Sequence, residues 1–357
     1  MKLYAVVLCG GKGERFWPKS RHYMPKQFLQ LFGNRTLLQE TSERIAPLAP
    51  LRRQLFVASR GFGKTLRRQL PLKDDNLLFE PSGKNTAPAI GLAAAQLAAR
   101  DPDATMVVLP ADHHIKRKRE FLATVRLAAR VAQDGQLVTF GIPPTRPDTG
   151  YGYIKVGDKV AGRGASTAHH VLGFREKPDA KTARRYLDSG DFLWNSGMFV
   201  WRADAILAAF RKFMPRFASG LRSYMRSSSV AGRARIADRL YREVESISID
   251  YAVMEKAKNI VAVRAAFAWD DVGSWLALER HRKQDRQGNT ASGDCVLKDS
   301  EGCIVESDAG LVAMLGTKDL VVVRSGDAVL VCPKNRLPDI KKLLRNIAAD
   351  KAGRDYL

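Results

Sequence analysis

A glycine-rich turn with two nearby cations is the first feature of the sequence that could do chemistry. Gly10, Gly11 and Gly13 directly follow an apolar run, and Arg15 and Lys26 come soon after them. Glycines let the backbone approach a phosphate closely, and their N–H groups can converge on it. The spacing matches neither G-x-G-x-x-G nor the Walker A pattern, and two cations in one loop suit a triphosphate better than a dinucleotide. The turn therefore predicts a nucleoside triphosphate site.

Two carboxylates stand in turns that could hold a metal ion. Asp112 comes just after a β-rich apolar run, and Asp271 lies between two tryptophans. Mg²⁺ in nucleotide sites is usually held by one or two carboxylates and completed by phosphate oxygens. His113 and His114 adjoin Asp112, but adjacent side chains point apart, so we interpret them as non-ligands.

Glu80, Asn85 and Thr86 lie where another predicted strand ends and a helix begins. A carboxylate there could accept both N1–H and N2–H of guanine, which adenine and the pyrimidines do not offer together. The same residues could equally form a turn and a helix cap. The residues alone leave both roles open.

Carboxylate and amide groups beside aromatic residues form a further set, which suits a polyol. Gly152 lies in a Gly-Tyr-Gly-Tyr segment, Glu176 and Lys177 precede a proline, and Asn195 follows a tryptophan. Glu and Asn side chains hydrogen-bond hydroxyl groups readily. Each of these segments could also be a surface turn, and the residues alone leave that choice open.

The segment 58–65 fits a relaxed P-loop pattern, with Ala58 in place of the first glycine, and a P-loop would indicate an ATPase or GTPase. No clean Walker B aspartate follows it, because Pro110 interrupts the nearest apolar run. The residues after Thr65 are also very basic and soon reach Pro71. We interpret the segment as an ordinary connection from strand to turn to helix.

Apolar β-rich runs and helical runs alternate through the first half of the chain, and these elements must position the residues above. The predicted strands cover 3–8, 54–58, 105–109 and 136–140, and the predicted helices cover 86–100 and 120–133. Such alternation predicts an α/β fold with a Rossmann-like, mostly parallel or mixed sheet flanked by helices. Ligands of such sheets lie outside the carboxyl ends of the strands, where Gly10, Glu80 and Asp112 stand.

The pattern changes near Gly288, where short Val/Leu runs alternate with Gly, Asp and Ser turns. The predicted strands cover 294–297, 303–306, 311–315, 320–324 and 328–332, before a helix at 338–349. This spacing predicts a small C-terminal β-rich, β-helix-like domain. We expect one domain at 1–285 that carries the chemistry and a second at 286–357.

The chain of 357 residues is strongly basic, with 59 Lys and Arg against 37 Asp and Glu and a formal charge of +22. A basic chain raises nucleic acid as a partner, and a nucleic-acid-binding protein is the rival class. Between Arg211 and Arg242, nine basic residues accompany one acid, at helical spacing among apolar residues. No zinc-finger, RRM or basic-zipper pattern accompanies them. We interpret this stretch as the solvated face of amphipathic helices and expect no nucleic acid partner.

Membrane and disulfide patterns are both missing from the sequence. No apolar run reaches the roughly 20 residues that a bilayer span needs. The four cysteines have no C-x-x-C spacing, which gives no metal site and no evident disulfide framework. We expect no membrane partner and a reducing, cytoplasmic location.

Taken together and in order, nine motifs resemble the sugar-nucleotidyltransferase family, from Leu8 to about Cys332. The motifs begin at Gly10, Pro25, Asn85, Pro110, Gly150, Glu176, Asn195, Ile249 and Asp271. Asn-Thr-Ala-Pro-Ala and Ile-Asp-Tyr-Ala-Val-Met-Glu favour the guanylyl branch over the thymidylyl and cytidylyl branches. Two departures, Cys9 for alanine and Lys84 for arginine, are mild. The resemblance implies a glycosyltransferase-A-like nucleotidyltransferase fold for the first domain.

The activity that the resemblance implies is transfer of GMP from GTP to α-D-mannose 1-phosphate, giving GDP-mannose and pyrophosphate. The sugar phosphate would attack the α-phosphate in line, with Mg²⁺ as cofactor. The alternative is another sugar 1-phosphate or another nucleoside triphosphate. A homodimer is expected.

The resemblance also implies roles for the candidate residues. Arg15, Lys26, Asp112 and Asp271 would be catalytic, and the two aspartates would hold Mg²⁺. The nucleotide would contact Gly10, Gly11, Gly13, Arg15, Lys26, Glu80, Asn85, Thr86 and Asp112. The mannose hydroxyls would contact Gly152, Glu176 and Asn195, and the sugar phosphate would contact Lys177.

Overall fold

The chain folds into two units that are not consecutive in sequence, in a computed structural model that describes residues 2–11 and 13–357. The larger unit contains the residues up to Gly10, Thr41–Ala111 and Ile115–Trp269. The smaller unit contains Gly11–Glu40, Asp112–His114 and Asp270–Leu357. The predicted boundary between residues 285 and 286 stays a prediction.

Seventeen strands are present in the described part of the chain. They are β1 (Leu3–Leu8), β2 (Gln54–Ser59), β3 (Leu77–Glu80), β4 (Thr105–Pro110), β5 (His114–Ile115), β6 (Leu137–Ile142), β7 (Tyr153–Arg163), β8 (Ser166–Arg175), β9 (Phe192–Arg202), β10 (Ile260–Arg264), β11 (Trp269–Asp270), β12 (Thr290–Ser292), β13 (Cys295–Lys298), β14 (Ile304–Ser307), β15 (Val312–Leu315), β16 (Leu320–Ser325) and β17 (Ala328–Pro333).

Ten α-helices accompany the strands over the same described residues. They are α1 (Leu37–Ile45), α2 (Gly63–Gln69), α3 (Thr86–Arg100), α4 (Lys118–Val131), α5 (Ala180–Ser189), α6 (Ala203–Phe213), α7 (Pro215–Arg226), α8 (Val230–Glu243), α9 (Ala277–His281) and α10 (Ile340–Ala349). A π-helical turn covers Asp250–Met254. No helix among the described residues combines the length and apolar character that crossing a bilayer requires.

The larger unit is built on a nine-stranded sheet with the order β3-β2-β1-β4-β9-β6-β10-β8-β7. Strands β3, β2, β1 and β4 run parallel, as the alternating pattern predicts. Strand β9 pairs antiparallel with both β4 and β6, which makes the sheet mixed. Segment 58–65 connects β2 to α2 through a turn, as we interpreted it.

Alternating residues of the central strands send apolar side chains to both faces of this sheet. Val6 packs with residues of α3, α6, α7 and α8 in one core cluster. Its neighbour Ala5 packs with residues of α4 in a second cluster. Helices therefore cover both faces, as predicted. In the basic stretch, Phe217 and Leu240 are buried while Arg222 and Arg239 are exposed, which confirms the amphipathic interpretation.

The smaller unit contains the C-terminal strands. Strands β12, β14 and β16 pair parallel in one sheet, with β17 antiparallel at its edge, and β13 pairs parallel with β15. Strand residues such as Ile304 and Val321 pack with Phe16, Trp275 and Leu344 in one apolar core. This confirms the β-rich C-terminal region. The four cysteines are free.

Candidate active site

The four residues predicted to be catalytic all line one cavity of the smaller unit. The cavity has a volume of about 440 Å³ and is lined by Arg15, Lys26, Asp112 and Asp271, together with Gly13, Glu14, Phe16, His113, Val272, Gly273 and Lys341. Most of these side chains are charged, so the cavity suits a small polyanion with a cation better than an apolar ligand.

The glycine turn needs its glycines for two conformational reasons. Gly11 and Gly13 have φ angles of 97° and 63°, in the region that side chains rarely adopt. A Cβ atom on Gly13 would lie 2.5 Å from the Lys26 backbone nitrogen, which leaves no room for a side chain. Gly10 belongs to the larger unit and Gly11 to the smaller one, and Lys12 lies outside the described residues.

Lys26 is almost fully buried in the cavity wall. Its ammonium Nζ lies 2.7 Å from Asp112 Oδ2 and donates to the carbonyl oxygens of Asp271, at 2.6 Å, and Val272, at 3.1 Å. An ammonium group has three N–H donors, so in this conformation each of them faces a protein acceptor. A direct bond to a phosphate would require Lys26 to exchange one of these acceptors.

Arg15 differs from Lys26 because it is exposed at the same cavity. Its Nη1 donates to the carbonyl oxygen of Gly273 at 3.3 Å. A guanidinium group has five N–H donors in a planar fork, which matches phosphate geometry. Arg15 therefore presents to the cavity a group that matches phosphate geometry.

The two aspartates offer hard oxygen donors to one cavity. Burial raises the pKa of Asp112, but the neighbouring Lys26 and His113 more than offset this and lower it, so the carboxylate is ionised. Its side chain is 29% exposed, which leaves it accessible. No cluster of three or more His, Cys, Asp or Glu residues suited to a metal occurs in residues 2–11 and 13–357. Two carboxylates completed by phosphate oxygens fit Mg²⁺.

His113 and His114 differ in their surroundings. His113 lines the cavity. His114 packs on Phe32 with ring centroids 4.1 Å apart, and its Nδ1 lies 3.4 Å from Glu40 Oε2. The ring of His114 therefore contributes to packing within the smaller unit.

The residues predicted to bind the sugar and its phosphate meet in the larger unit. We call them the sugar group: Gly152, Glu176, Lys177 and Asn195. The Asn195 backbone N–H donates to the Gly152 carbonyl at 2.8 Å. A Cβ atom on Gly152 would collide with Glu176 Oε2, so the glycine leaves room for this carboxylate. Asn195 Nδ2 also donates to Asp250 Oδ1 at 2.8 Å. Lys177 lies at the exposed side of this group, with Nζ 3.8 Å from Glu176 Oε1.

The carboxyl groups in and beside the sugar group have raised pKa values. Burial, and then the charge of Asp250, raise the pKa of Glu176, although Lys177 opposes this. Burial raises the pKa of Asp250, and the bond from Asn195 opposes it. Burial and the charge of Asp250 also raise the pKa of Glu255. This acidic group can accept hydrogen bonds from neutral hydroxyls.

Glu80, Asn85 and Thr86 all have protein partners in the larger unit. The Asn85 side chain accepts from the Thr86 backbone N–H at 2.8 Å and caps α3, and Thr86 Oγ1 accepts from the Ile249 backbone N–H at 2.9 Å. The Tyr241 hydroxyl donates to Glu80 Oε1 at 2.9 Å. Burial raises the pKa of Glu80 to about 7, while the Tyr241 bond opposes this. The turn and cap role is thus observed for Asn85.

Comparison with known proteins identifies the family. The model of the nucleotidyl transferase family matches residues 4–288, well over half of the chain. The chain belongs to the nucleotidyl transferase family. A second model, the MannoseP isomerase/GMP-like beta-helix domain, matches residues 293–347. Both the predicted family and the predicted fold class are confirmed, and the chain is an enzyme of the nucleotidyltransferase class.

Individual relatives agree with this family. The mannose-1-phosphate guanylyltransferase of Klebsiella pneumoniae is 42% identical over 344 residues, which are 95% of this chain and 73% of that protein. The xanthan biosynthesis protein XanB of Xanthomonas campestris pv. campestris strain B100 is 42% identical over 353 residues, 98% of this chain and 73% of its own.

A solved structure shares the fold along nearly the whole nucleotidyltransferase. It is described as mannose-1-phosphate geranyltransferase from Thermus thermophilus and has a TM-score of 0.88 with 38% identity. The match covers 98% of this chain and 100% of that chain.

Sequence reasoning missed two residues that the nucleotidyltransferase brings to its candidate sites. Lys341 reaches the cavity from α10, more than three hundred residues from the glycine turn along the chain. No local signal separates it from its neighbour Lys342. Asp250 accepts from Asn195 in the sugar group, and its place in the Ile-Asp-Tyr motif was a signal that could have identified it.

Proposed function

We propose that this nucleotidyltransferase transfers GMP from GTP to mannose 1-phosphate and releases pyrophosphate. The observation that carries the proposal is the single cavity that gathers Arg15, Lys26, Asp112 and Asp271. The substrates follow the names of relatives such as the Klebsiella pneumoniae enzyme.

The triphosphate is assigned to the cavity of the smaller unit. Arg15 binds phosphate oxygens directly. Lys26 adds a fixed positive charge, with its Nζ 2.7 Å from Asp112 Oδ2. Asp112 and Asp271 would hold Mg²⁺, which when bound neutralises negative charge on the phosphates and orients them. Positioning and charge stabilisation supply most of the acceleration in such transfers. Gly11 and Gly13 belong to the same unit and give the chain a turn whose backbone N–H groups would contact the phosphates.

The acceptor is assigned to the acidic group of the larger unit. Glu176 and Asn195 bind the sugar hydroxyls, Gly152 keeps the space that Glu176 occupies, and Lys177 binds the sugar phosphate. A phosphate oxygen of mannose 1-phosphate attacks the α-phosphorus of GTP in line. The bond from the α-phosphorus to the pyrophosphate oxygen breaks. The attacking phosphate is already ionised near neutral pH, so no general base is required.

Guanine recognition is assigned to Glu80 with the Asn85–Thr86 turn. The Tyr241 hydroxyl fixes the orientation of the Glu80 carboxylate through Oε1. In the ionised state this carboxylate accepts the N1–H and N2–H donors of guanine.

Pyrophosphate release tests the proposal. We expect release with GTP and mannose 1-phosphate in Mg²⁺, little release with ATP, dTTP, CTP or UTP, and none with EDTA. Glucose 1-phosphate in place of mannose 1-phosphate tests the sugar. Pyrophosphate release with another nucleotide or sugar phosphate would support the alternative substrate pair within the family. No release with any pair would contradict the proposed activity.

Two further expectations accompany the activity. The four free cysteines support a reducing, cytoplasmic location. The homodimer follows from the family resemblance, and light scattering at several protein concentrations tests it.

A further inference from the structure

Asp270 is a buried carboxylate to which the proposed reaction gives no role. Its Oδ2 accepts from Arg280 Nε at 2.7 Å and lies 2.9 Å from His281 Nε2. Its Oδ1 accepts from Arg280 Nη2 at 3.0 Å and from the Val272 backbone N–H at 2.7 Å. The side chain is 5% exposed. Asp270 therefore ties α9 to the backbone of the turn formed by residues 271–273.

The turn that Asp270 holds has an unfavourable backbone conformation. Val272 has a φ angle of 52°, in a region where a β-branched residue is rare. Such a residue persists only where its surroundings over-determine it, and such residues concentrate at functional sites. The bond from the Val272 N–H to Asp270 and the complete burial of the Val272 side chain supply that constraint here.

The same turn presents its carbonyl groups to the two cations of the cavity. The oxygens of Asp271 and Val272 accept from Lys26 Nζ, and the oxygen of Gly273 accepts from Arg15 Nη1. Asp271 also contributes its side chain to the cavity wall. The conformation of three consecutive residues thus sets the positions of both cations and of one carboxylate.

We propose that Asp270 is a positioning residue for nucleotidyl transfer, which fixes the 271–273 turn and through it Lys26, Arg15 and the Asp271 side chain. The role rests on the proposed function of the cavity. Asp270 itself touches no substrate. Its effect reaches the phosphates through the carbonyl groups of the turn, as outer residues orient the ligands of a metal or anion site.

Glu306 provides a matched control in the same unit. It is as buried as Asp270, and its carboxylate pairs with Lys19 at 2.6 Å and with Arg282. It lies in β14 and takes part in the β-rich core region. Replacing either carboxylate disrupts a buried ion pair, so both variants should lose stability. Only the Asp270 variant should disturb the cavity.

The experiment compares Asp270→Ala with Glu306→Gln at a temperature where circular dichroism shows both to be folded. For Asp270→Ala we expect kcat to fall about tenfold or more, because positioned charges act mainly in the transition state. The KM for mannose 1-phosphate should stay within about twofold, because this substrate is assigned to residues other than those of the turn. Glu306→Gln should keep kcat within about twofold of the parent chain. Asp270→Asn replaces Asp270→Ala if the alanine variant fails to fold.

The outcomes separate this proposal from the proposed function. A folded Asp270 variant with parental kcat, or a Glu306→Gln variant with an equal loss of kcat, would overturn the positioning role. A parent chain that transfers no GMP contradicts the proposed function instead. In that case, calorimetric titration of the parent chain and of the Asp270 variant with pyrophosphate tests the role of Asp270. Displacement of Lys26 and Arg15 in the variant should weaken its affinity for pyrophosphate about fivefold or more. Unchanged pyrophosphate affinity would then reject the role of Asp270.

Discussion

The carboxylates in and beside the two candidate sites have pKa values that are shifted in opposite directions. In the smaller unit, the bonds and charges of neighbouring cations outweigh burial and lower the pKa of both Asp112 and Asp270. In the larger unit, burial raises the pKa of both Glu176 and Asp250, and the charge of Asp250 adds to the rise for Glu176. A carboxylate paired with cations stays ionised and suits a site for metal and phosphate. A crowded, buried carboxylate suits hydrogen bonds with neutral hydroxyls.

The largest effect is expected from the smaller unit. Asp271→Ala should lower kcat by about a thousandfold, the upper end for loss of one charge-stabilising group in a cavity. The fold should be intact, because Val272 and Gly273 keep their backbone contacts with Lys26 and Arg15. Pyrophosphate release and circular dichroism measure the two properties.

Asp299→Asn is the control for this prediction, because Asp299 is an exposed aspartate of the same unit, with a side chain 68% exposed. The control should retain parental kcat. A folded Asp271→Ala protein with near-parental turnover would remove Asp271 from the metal site.

The next effect concerns the sugar group of the larger unit. Glu176→Gln should raise the KM for mannose 1-phosphate by about ten- to a hundredfold, the equivalent of losing one charge-assisted hydrogen bond. The KM for GTP should stay within about twofold, because the two substrates are assigned to different groups of residues.

Glu245→Gln serves as the control for the sugar prediction, since Glu245 is exposed in the same unit. If Glu176→Gln instead raised the KM for GTP and left the KM for mannose 1-phosphate unchanged, the division between a sugar group and a phosphate cavity would be wrong.

Local signals predicted most of the fold. The helix Thr86–Arg100 has the predicted bounds, because Asn85 caps it and its Ala/Leu-rich run, interrupted by Gln96, continues to Ala99. The five predicted C-terminal strands match β13 to β17 within one residue at each end, since Val/Leu runs end at Gly, Asp and Ser turns, whereas the short strand β12 was not predicted. The aromatic pattern predicts a short strand over 151–156, but β7 continues to Arg163. The prediction stops early because the distal residues of β7 are mostly exposed and carry no apolar alternation.

Contacts between distant parts of the chain could not be predicted in the same way. The Tyr241 hydroxyl reaches Glu80 across 161 positions, and Lys26 reaches Asp271 across 245. Each motif indicated a type of chemistry, but its protein partners follow from tertiary packing. Asp270 shows the difference most clearly: the sequence placed it beside a metal-ligand candidate, and only the structure shows that its carboxylate holds the Val272 backbone.

A third prediction concerns the pH dependence of stability that Glu80 adds to the larger unit. Its pKa is raised to about 7, so between about pH 4.3 and pH 7 the folded state binds more protons than the unfolded state. The contribution of the Glu80 carboxyl to the free energy of unfolding is therefore full below about pH 4.3 and is lost as the pH rises through about 7. Relative to Glu80→Gln, the parent chain should lose roughly 2–3 kcal/mol of unfolding free energy between pH 5 and pH 8.

Urea denaturation at several pH values measures this difference, with Glu245→Gln as the exposed control. Parallel plots of unfolding free energy against pH for the parent chain and Glu80→Gln would contradict the raised pKa.

Guanine recognition by Glu80 is tested in a separate experiment. If Glu80 accepts the exocyclic N2–H, Glu80→Gln should narrow the preference for GTP over inosine triphosphate. An unchanged preference would leave Glu80 with a role in packing alone.

The smallest effect is expected from Lys341, which lines the phosphate cavity from α10. Lys341 is exposed, so its attraction to a phosphate is screened and contributes only about 0.5–1 kcal/mol, or about two- to fivefold in the KM for GTP. Lys341→Gln should show this rise with kcat nearly unchanged, and the rise should shrink in high salt. Its neighbour Lys342 pairs with Asp339 at 2.7 Å and does not line the cavity, so Lys342→Gln should leave the KM for GTP unchanged. Equal effects of the two substitutions would mean that net charge, and not a position in the cavity, governs GTP binding. A selective effect of Lys341 would extend the contrast between the two units, because the C-terminal helix would then contribute to the phosphate cavity.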